Sequence, residues 1–245
     1  MSVVAIFGPT GVGKTGVAIS LAEKLRERGE DPVAINCDAL QVYEGLETLT
    51  GAATAEEQEK LEHRLLSFVP ITADFSIGDY MPLAHREIDL ALEAGRVAIV
   101  VGGTGLYLRA ALAELSLAKV PPHSEESELW SPQTRHPTTI FGIDMDREQL
   151  YERINARTAA IVAGGAAEEA RRADRLGPGR SARKALGFEE ILVGDVEAMK
   201  KRSRNYARRQ ITWMRKIPNL KLIDRTGMND TEVASHMLTG LFPSI

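Results

Sequence analysis

The chain has 245 residues, 44% of them hydrophobic, and a formal net charge of −4 at pH 7. That length fits one α/β domain, or a domain with a small appendage. The single cysteine excludes an intramolecular disulfide and a cysteine-rich zinc site, and the five histidines lack the spacing of a metal site. No apolar run approaches the ~20 residues of a membrane span, and the amino terminus lacks a signal-peptide pattern. We therefore expect a cytoplasmic, monomeric protein that does not enter a membrane.

The most informative motif follows the first predicted strand, Val3–Phe7. Residues 8–15 read GPTGVGKT, the Gly-x4-Gly-Lys-Thr pattern of a phosphate-binding loop, and a helical pattern follows over Val17–Arg28. Glycines let backbone N–H groups converge on an anion, Lys14 adds positive charge, and the Thr15 hydroxyl is a ligand for Mg²⁺. We predict a di- or triphosphate site with Mg²⁺ as cofactor. The predicted site consists of Gly8, Pro9, Thr10, Gly11, Val12, Gly13, Lys14 and Thr15.

The remaining predicted elements alternate between strand and helix. Further strands are predicted at 33–37, 97–101, 138–143 and 220–223, and helices at 76–93, 105–115, 147–162, 195–216 and 230–241, with another helical segment ending at 176. Five short apolar strands separated by helices predict a P-loop NTPase-like α/β fold, with a mostly parallel sheet and helices on both faces. Residues 117–137 contain four prolines and are predicted to be a linker within a single domain, 1–245.

The charge is distributed unevenly along the chain. Residues 147–216 hold 17 Lys and Arg against nine Asp and Glu, and 200–216 hold eight basic residues and no acidic one. This pattern indicates either a polyanion bound to a basic helical region or a solvated helix face. Tyr206, Gln210 and Trp213 share one side of the predicted helix, a spacing that fits an inward-facing stripe equally well.

Two strand ends point to chemistry beyond phosphate binding. The second strand leads into Asp38, and the third leads through two glycines to Thr104. Because the carboxyl ends of parallel strands form the ligand-binding edge of such a sheet, we expect both residues to face the phosphate loop. There Asp38 would hold magnesium, accept a proton from a nucleophile, or only cap the next turn. The strongest apolar strand does not end in the aspartate usual in ATP- and GTP-using enzymes.

Four blocks occur in order along the chain: GPTGVGKT at 8–15, NCDALQVYEGL at 36–46, VVGGTGLYLRA at 100–110 and YARRQITWMRK at 206–216. Together they resemble the tRNA dimethylallyltransferase family, over roughly 1–115 and 138–225. The resemblance implies transfer of a dimethylallyl group from dimethylallyl diphosphate to N6 of the adenosine 3′ to the anticodon of tRNA, with release of diphosphate. In that family the loop holds the diphosphate of the donor instead of ATP.

The resemblance also implies roles for single residues. Asp38 matches the base that takes a proton from the amine, Thr104 the threonine beside the leaving group, and Arg157 the arginine that grips the diphosphate. Gln41 matches the residue that reads the target adenine, which must leave the anticodon stack. The implied catalytic residues are Asp38, Thr104, Lys14 and Arg157. The implied tRNA-binding residues are Asp38, Ala39, Leu40, Gln41, Thr104, Arg208, Arg209 and Gln210.

The chain departs from the family pattern at two places. Ala39 stands where the family usually has serine, and 117–137 takes the place of a helical insertion that clamps the anticodon arm. The basic region 147–216 is then left to face the tRNA. Two alternatives stay open at this point: an isopentenyltransferase that acts on free AMP, ADP or ATP, as in cytokinin synthesis, and a P-loop kinase for a small molecule.

Overall fold

The computed structural model describes residues 3–116 and 128–242. Its strands are β1 Val3–Phe7, β2 Pro32–Asn36, β3 His63–Arg64, β4 Val97–Gly102, β5 Thr138–Asp144 and β6 Lys221–Asp224. In the described ranges they form one six-stranded sheet in the order β3-β2-β4-β1-β5-β6, and every pairing is parallel. The predicted fold class is therefore confirmed.

The central strand β1 positions the rest of the sheet. All five of its residues are buried, and it pairs with β4 on one side and β5 on the other, so that Phe7 lies opposite both Gly102 and Gly142. A strand enclosed in this way reads as a continuous apolar run, which is why its sequence was easy to assign. Strand β3 escaped prediction because its two residues, His63 and Arg64, are polar and half-buried.

Helices cover both faces of the sheet. They are α1 Lys14–Arg26, α2 Glu47–Thr50, α3 Ala55–Lys60, α4 Ile77–Glu93, α5 Gly105–Leu112, α6 Arg147–Ala163, α7 Ala166–Leu176, α8 Phe188–Leu192, α9 Val196–Met214 and α10 Asp230–Leu241. Helices α1 and α10 pack on one face through residues such as Leu21 and Met237. Helices α4 and α5 pack on the other through Ile88 and Leu108.

Side-chain caps explain where several predicted helices begin. The Ser76 hydroxyl accepts a hydrogen bond from Asp79 N–H, while the Asp79 carboxylate accepts one from Ser76 N–H, a reciprocal cap for α4. The carboxylates of Asp146 and Asp195 cap α6 and α9 by accepting hydrogen bonds from backbone N–H groups of the first turn, without the return bond. Helix α1 starts earlier than predicted, at Lys14, directly after Gly13.

A third apolar cluster lies apart from the two faces of the sheet. It joins the segment that follows β2, including Val42 and Leu49, to alanines of α7 and to Phe188 on α8. Helices α2, α3 and α8 have only four to six residues. Because such short helices show no repeating apolar pattern, the sequence did not reveal them.

The predicted linker divides into two parts. Residues 117–127 lie outside the described residues. Residues 128–137 contain one 3₁₀ turn, Glu128–Trp130, and then run along α5, where the buried guanidinium of Arg109 donates to the Ser131 carbonyl at 2.8 Å. The assignment of 1–245 to a single domain stays a prediction. Within the described ranges no helix combines the length and the apolar character needed to cross a membrane.

Candidate active site

The phosphate loop leaves β1 at Gly8 and enters α1 at Lys14. Gly11 and Gly13 have φ angles of 82° and 93°, in the left-handed region that favours glycine. A Cβ atom on Gly8 would lie 2.6 Å from the carbonyl oxygen of Ile143 on β5, so a side chain at this position would force the strands apart. The glycines of the motif therefore serve the close fit of the loop against the sheet.

Two arginines far along the chain hold this loop from outside. Arg225, only 2% exposed, donates from Nη1 to the Val12 carbonyl at 2.6 Å and forms an ion pair with Asp230 at 2.9 Å. Arg153 on α6 donates from Nε to the Gly11 carbonyl at 3.0 Å. Sequence reasoning missed both, because an isolated arginine carries no local motif. Because they bind the loop through its carbonyl groups, these two arginines occupy none of the N–H groups that could bind an anion.

Lys14 is folded back onto its own loop. Its Nζ atom donates to the carbonyl oxygens of Gly8 and Pro9, each at 3.0 Å. Burial lowers the pKa of Lys14 from its ordinary 10.5 to about 8; the Asp38 carboxylate opposes this change, and Arg157 adds to it. The ammonium is therefore charged at neutral pH but loses its proton within the mildly alkaline range.

Asp38 follows β2 at the carboxyl edge of the sheet, as predicted. Its backbone is held by the side chain of Asn36, which accepts from Asp38 N–H at 3.1 Å and donates to the Asp38 carbonyl at 3.2 Å. Its Oδ1 atom accepts from Leu40 N–H at 3.1 Å. Its Oδ2 atom has no hydrogen-bond partner in the part of the chain that the structure describes, and Asp38 lines the cleft. One carboxylate oxygen is thus fixed and the other is open to a ligand.

Thr104 stands at the start of α5, next to the segment that carries Asp38. Its Oγ1 atom accepts from Ala39 N–H at 3.2 Å and lies 3.5 Å from the hydroxyl oxygen of Tyr206 on α9. Burial raises the pKa of Tyr206 well above its ordinary value, so this phenol keeps its proton. Thr104 consequently links the loop after β2, helix α5 and helix α9.

Arg157 and Gln41 meet at the carboxyl end of the short helix α2. Arg157 Nη2 donates to the carbonyl oxygens of Thr50 and Gly51 at 3.2 and 3.1 Å, and Gln41 Nε2 donates to the same two oxygens at 3.4 and 3.2 Å. Both side chains line the cleft. Burial lowers the pKa of the Arg157 guanidinium, and the nearby carboxylate of Asp38 opposes that change.

Gln210, one of the implied tRNA-binding residues, is buried and bonded to two backbone groups of the site. It is 4% exposed; its Oε1 atom accepts from Thr10 N–H at 2.8 Å, and its Nε2 atom donates to the Gly103 carbonyl at 2.8 Å. Both ends of the amide are therefore used to join the phosphate loop to the end of β4. These contacts give Gln210 a role in positioning the loop, and its contact with tRNA stays a prediction.

These groups surround a single cleft of about 860 Å³. The predicted residues that line it are Thr10, Gly11, Gly13, Lys14, Thr15, Asp38, Leu40, Gln41, Arg157 and Gln210. The predicted residues that stand behind or away from its lining are Gly8, Pro9, Val12, Ala39, Thr104, Arg208 and Arg209. The cleft also has an apolar portion, formed by side chains such as Leu49, Ile161 and Met199, so it offers an anion site and an apolar site side by side.

The oxygen donors of the cleft decide whether a magnesium ion fits. The Thr15 hydroxyl and the Asp38 carboxylate both line it, and hard oxygen ligands of this kind suit Mg²⁺. In the described ranges no group of three or more His, Cys, Asp or Glu side chains is placed to hold a metal without other ligands. The residues therefore fit an ion that takes its remaining ligands from phosphate oxygens and water, and Mg²⁺ stays a prediction.

Helix α9 carries Arg208 and Arg209 on its outer side. Arg208 and Arg209 are exposed, whereas Ala207 and Gln210 are buried and Trp213 is packed against Gly105. The inward-facing stripe is thus confirmed for this helix, and Arg208 and Arg209 face outward, whereas Arg202 and Arg204 are half-buried and bonded to Glu190 and Asn155.

A parallel α/β sheet with a phosphate loop at the end of its central strand, and a carboxylate in the same cleft, defines a P-loop group-transfer protein. The family model described as IPP transferase matches residues 41–131 and 121–217, and the one described as isopentenyl transferase matches residues 1–75. The chain belongs to the tRNA dimethylallyltransferase (isopentenyltransferase) family, which confirms the resemblance stated above.

Individual relatives agree with this family. The tRNA dimethylallyltransferase of Limosilactobacillus fermentum is 32% identical, with 97% of this chain and 98% of the relative covered. That of Acetivibrio thermocellus is 30% identical, with 94% of each covered. The crystal structure of the full-length tRNA isopentenylpyrophosphate transferase from Bacillus halodurans superposes with a TM-score of 0.81 at 26% identity, covering 98% of this chain and 96% of that one.

We expect the affinity for inorganic diphosphate to fall as the pH rises through about 8, because the Lys14 ammonium loses its proton there. Calorimetric titrations between roughly pH 7 and 9.5 would measure the effect. Lys14→Arg is the matched control, since its guanidinium stays charged and the ligand's own titration is common to both proteins. A wild-type affinity that changes with pH no more than that of the control would contradict the assignment.

Replacing Gln210 by Leu should weaken diphosphate binding about 10-fold, because Thr10 N–H and the Gly103 carbonyl both lose their partner. The control is Thr212→Val, a comparable loss of a polar group on the exposed side of the same helix. Diphosphate affinity would be measured by calorimetry and RNA affinity by filter binding. A variant that loses RNA affinity while binding diphosphate normally would contradict the role in the loop and show that Gln210 contacts tRNA.

Proposed function

We propose that this chain transfers a dimethylallyl group from dimethylallyl diphosphate to N6 of the adenosine 3′ to the anticodon of tRNA. The observation that carries the proposal is the meeting, in one cleft, of a phosphate loop with the open carboxylate of Asp38. A nucleotide-binding module without chemistry would leave this aspartate without a role. The names of the relatives and the extent of their match support the same reaction.

The acceptor side of the reaction depends on Asp38. The N6 amine of adenine is a weak nucleophile, since its lone pair is delocalised into the ring. As the bond between N6 and the allylic carbon forms, Asp38 takes a proton from the amine and so lowers the barrier. The fixed Oδ1 atom holds the carboxylate in place, and Oδ2 receives the proton.

The donor side depends on charge neutralisation. As the allylic carbon–oxygen bond breaks, the electron pair stays on the leaving diphosphate, whose growing negative charge must be stabilised. The loop N–H groups, Lys14 and Arg157 supply positive charge within the same cleft. Magnesium held through Thr15 would add a Lewis acid at the same oxygens. Thr104 is proposed to support the segment after β2 that carries Asp38, because its hydroxyl accepts a hydrogen bond from Ala39 N–H.

The tRNA is proposed to lie against the exposed basic side of α9. Arg208 and Arg209 are exposed there, and phosphate contacts of this kind position an RNA without reading its sequence. Gln41, inside the cleft, is proposed to read the adenine after that base leaves its stack. We propose further that the enzyme works in the cytoplasm as a monomer.

This chain is shorter than its relative, so the test must show whether it still recognises tRNA. The alignment with the L. fermentum relative spans 305 positions, more than the 245 residues of this chain, so the relative has residues that this chain lacks. The test is a transfer assay with dimethylallyl diphosphate, Mg²⁺ and two competing acceptors: an anticodon stem-loop with adenosine 3′ to the anticodon, and AMP. We expect the mass gain on the stem-loop. A gain on AMP alone would assign a free-nucleotide isopentenyltransferase instead.

Replacing Asp38 by Asn should lower the transfer rate by about 10²- to 10⁴-fold, because the base is removed, while the affinity for diphosphate measured without Mg²⁺ stays intact or rises slightly, because one negative charge leaves the cleft. Single-turnover transfer and calorimetry measure the two quantities separately. The matched control is Asp31→Asn, the same change at the exposed opposite end of β2. If Asp38→Asn instead weakens diphosphate binding and transfers bound substrate at the normal rate, Asp38 is not the base.

A further inference from the structure

A buried carboxylate on α7 forms contacts that the proposed chemistry does not use. Glu169 is 4% exposed; its Oε1 atom accepts from Thr48 N–H at 2.9 Å and its Oε2 atom from Leu49 N–H at 2.7 Å. These two N–H groups belong to the first turn of α2, the short helix that borders the cleft. Within the described ranges no cationic side chain forms an ion pair with Glu169.

A buried carboxylate without a cation is costly unless hydrogen bonds compensate for the lost water. Here the compensation comes from the amino end of α2, where N–H groups that have no partner within the helix carry partial positive charge. Bonds from N–H groups to an ionised oxygen are among the stronger hydrogen bonds in proteins. Glu169 therefore holds α2 through two charge-assisted hydrogen bonds, in addition to the apolar packing of its neighbours Ala166 and Ala170.

The opposite end of α2 contacts two proposed site residues. The carbonyl oxygens of Thr50 and Gly51 accept the hydrogen bonds of Arg157 and Gln41. Gly51 has a φ angle of 58°, and a Cβ atom on it would collide with the Arg157 guanidinium, so the arginine lies directly across the helix end. One turn of helix thus has N–H groups bonded to an anion at its amino end and carbonyl groups bonded to a cation at its carboxyl end.

We propose that Glu169 is a positioning residue for the diphosphate site: it fixes α2, and α2 in turn sets the position of the Arg157 guanidinium in the cleft. Glu169 itself touches no substrate. The ligand named here, a diphosphate, rests on the proposed function. The connection runs from Glu169 to Thr48 and Leu49, through the single turn of α2, to the carbonyl groups that hold Arg157.

The test is a double-mutant cycle on the binding of inorganic diphosphate with Mg²⁺, measured by calorimetry on the full chain. Glu169→Gln keeps the shape of the side chain but offers only one acceptor to two N–H donors. We expect it to weaken diphosphate binding about 10-fold, and to cost nothing further in an Arg157→Ala background, because the two residues act as one unit. The matched control is Glu168→Gln, the same change on the solvent side of α7, where the carboxylate pairs with exposed arginines.

A second readout separates positioning from general destabilisation. Amide hydrogen exchange at Thr48 and Leu49 should accelerate in Glu169→Gln while exchange in the strands of the sheet stays unchanged. If Glu169→Gln does not fold, Glu169→Asp enters the same cycle, since it keeps the charge but shortens the reach by one methylene. Losses that add in the double variant, or affinities that are equal for Glu169→Gln and Glu168→Gln, would overturn the proposal.

The double-mutant cycle tests the role of Glu169 independently of which reaction the enzyme catalyses. A wild-type protein that binds diphosphate but transfers no dimethylallyl group would overturn the proposed function, and the cycle would still decide the role of Glu169. Conversely, transfer to the stem-loop together with additive losses would uphold the function and reject the positioning role.

Discussion

An anion site made of backbone N–H groups imposes the main constraint on this structure: the loop must be held through its carbonyl groups and a few of its N–H groups, so that the remaining N–H groups stay free for the ligand. The sheet supplies the carboxyl end of β1, and distant side chains supply the bonds. Arg225 and Arg153 take loop carbonyls, and Gln210 takes the Thr10 N–H. Elements that are far apart in sequence are therefore brought to one point because the loop would otherwise have unsatisfied groups.

The sequence was informative wherever chemistry and local geometry coincide. The glycines of the loop, the buried strand before it and the caps at Ser76 and Asp146 each combine residue type with position, and the structure confirms the elements that they predicted. Asp38 could be placed at the sheet edge for the same reason, since it directly follows a buried strand. A local sequence pattern is enough to predict a structural element when the residues that determine the element lie within it or next to it.

Contacts between distant segments were not predictable in this way. Nothing near Glu169 or Arg225 in the sequence marks either residue as a partner of α2 or of the phosphate loop, because their partners lie more than a hundred positions away. Gln210 shows a related case: its place in a basic helix suggested RNA, and the structure adds contacts with the phosphate loop that the sequence did not indicate. The spacing of Gln210 indicated which side of the helix it occupies, but only the packing shows what that side contacts.

The position of Gln210 has a consequence for how the binding of one substrate affects the binding of the other. Helix α9 presents Arg208 and Arg209 outward and, one residue further along, holds the phosphate loop through Gln210. The same rigid element thus borders both substrates. If a bound tRNA shifts α9, the affinity for the donor must change, and by thermodynamic reciprocity the donor must change the affinity for tRNA by the same factor. The two substrates would then bind with cooperativity that neither of them creates by direct contact.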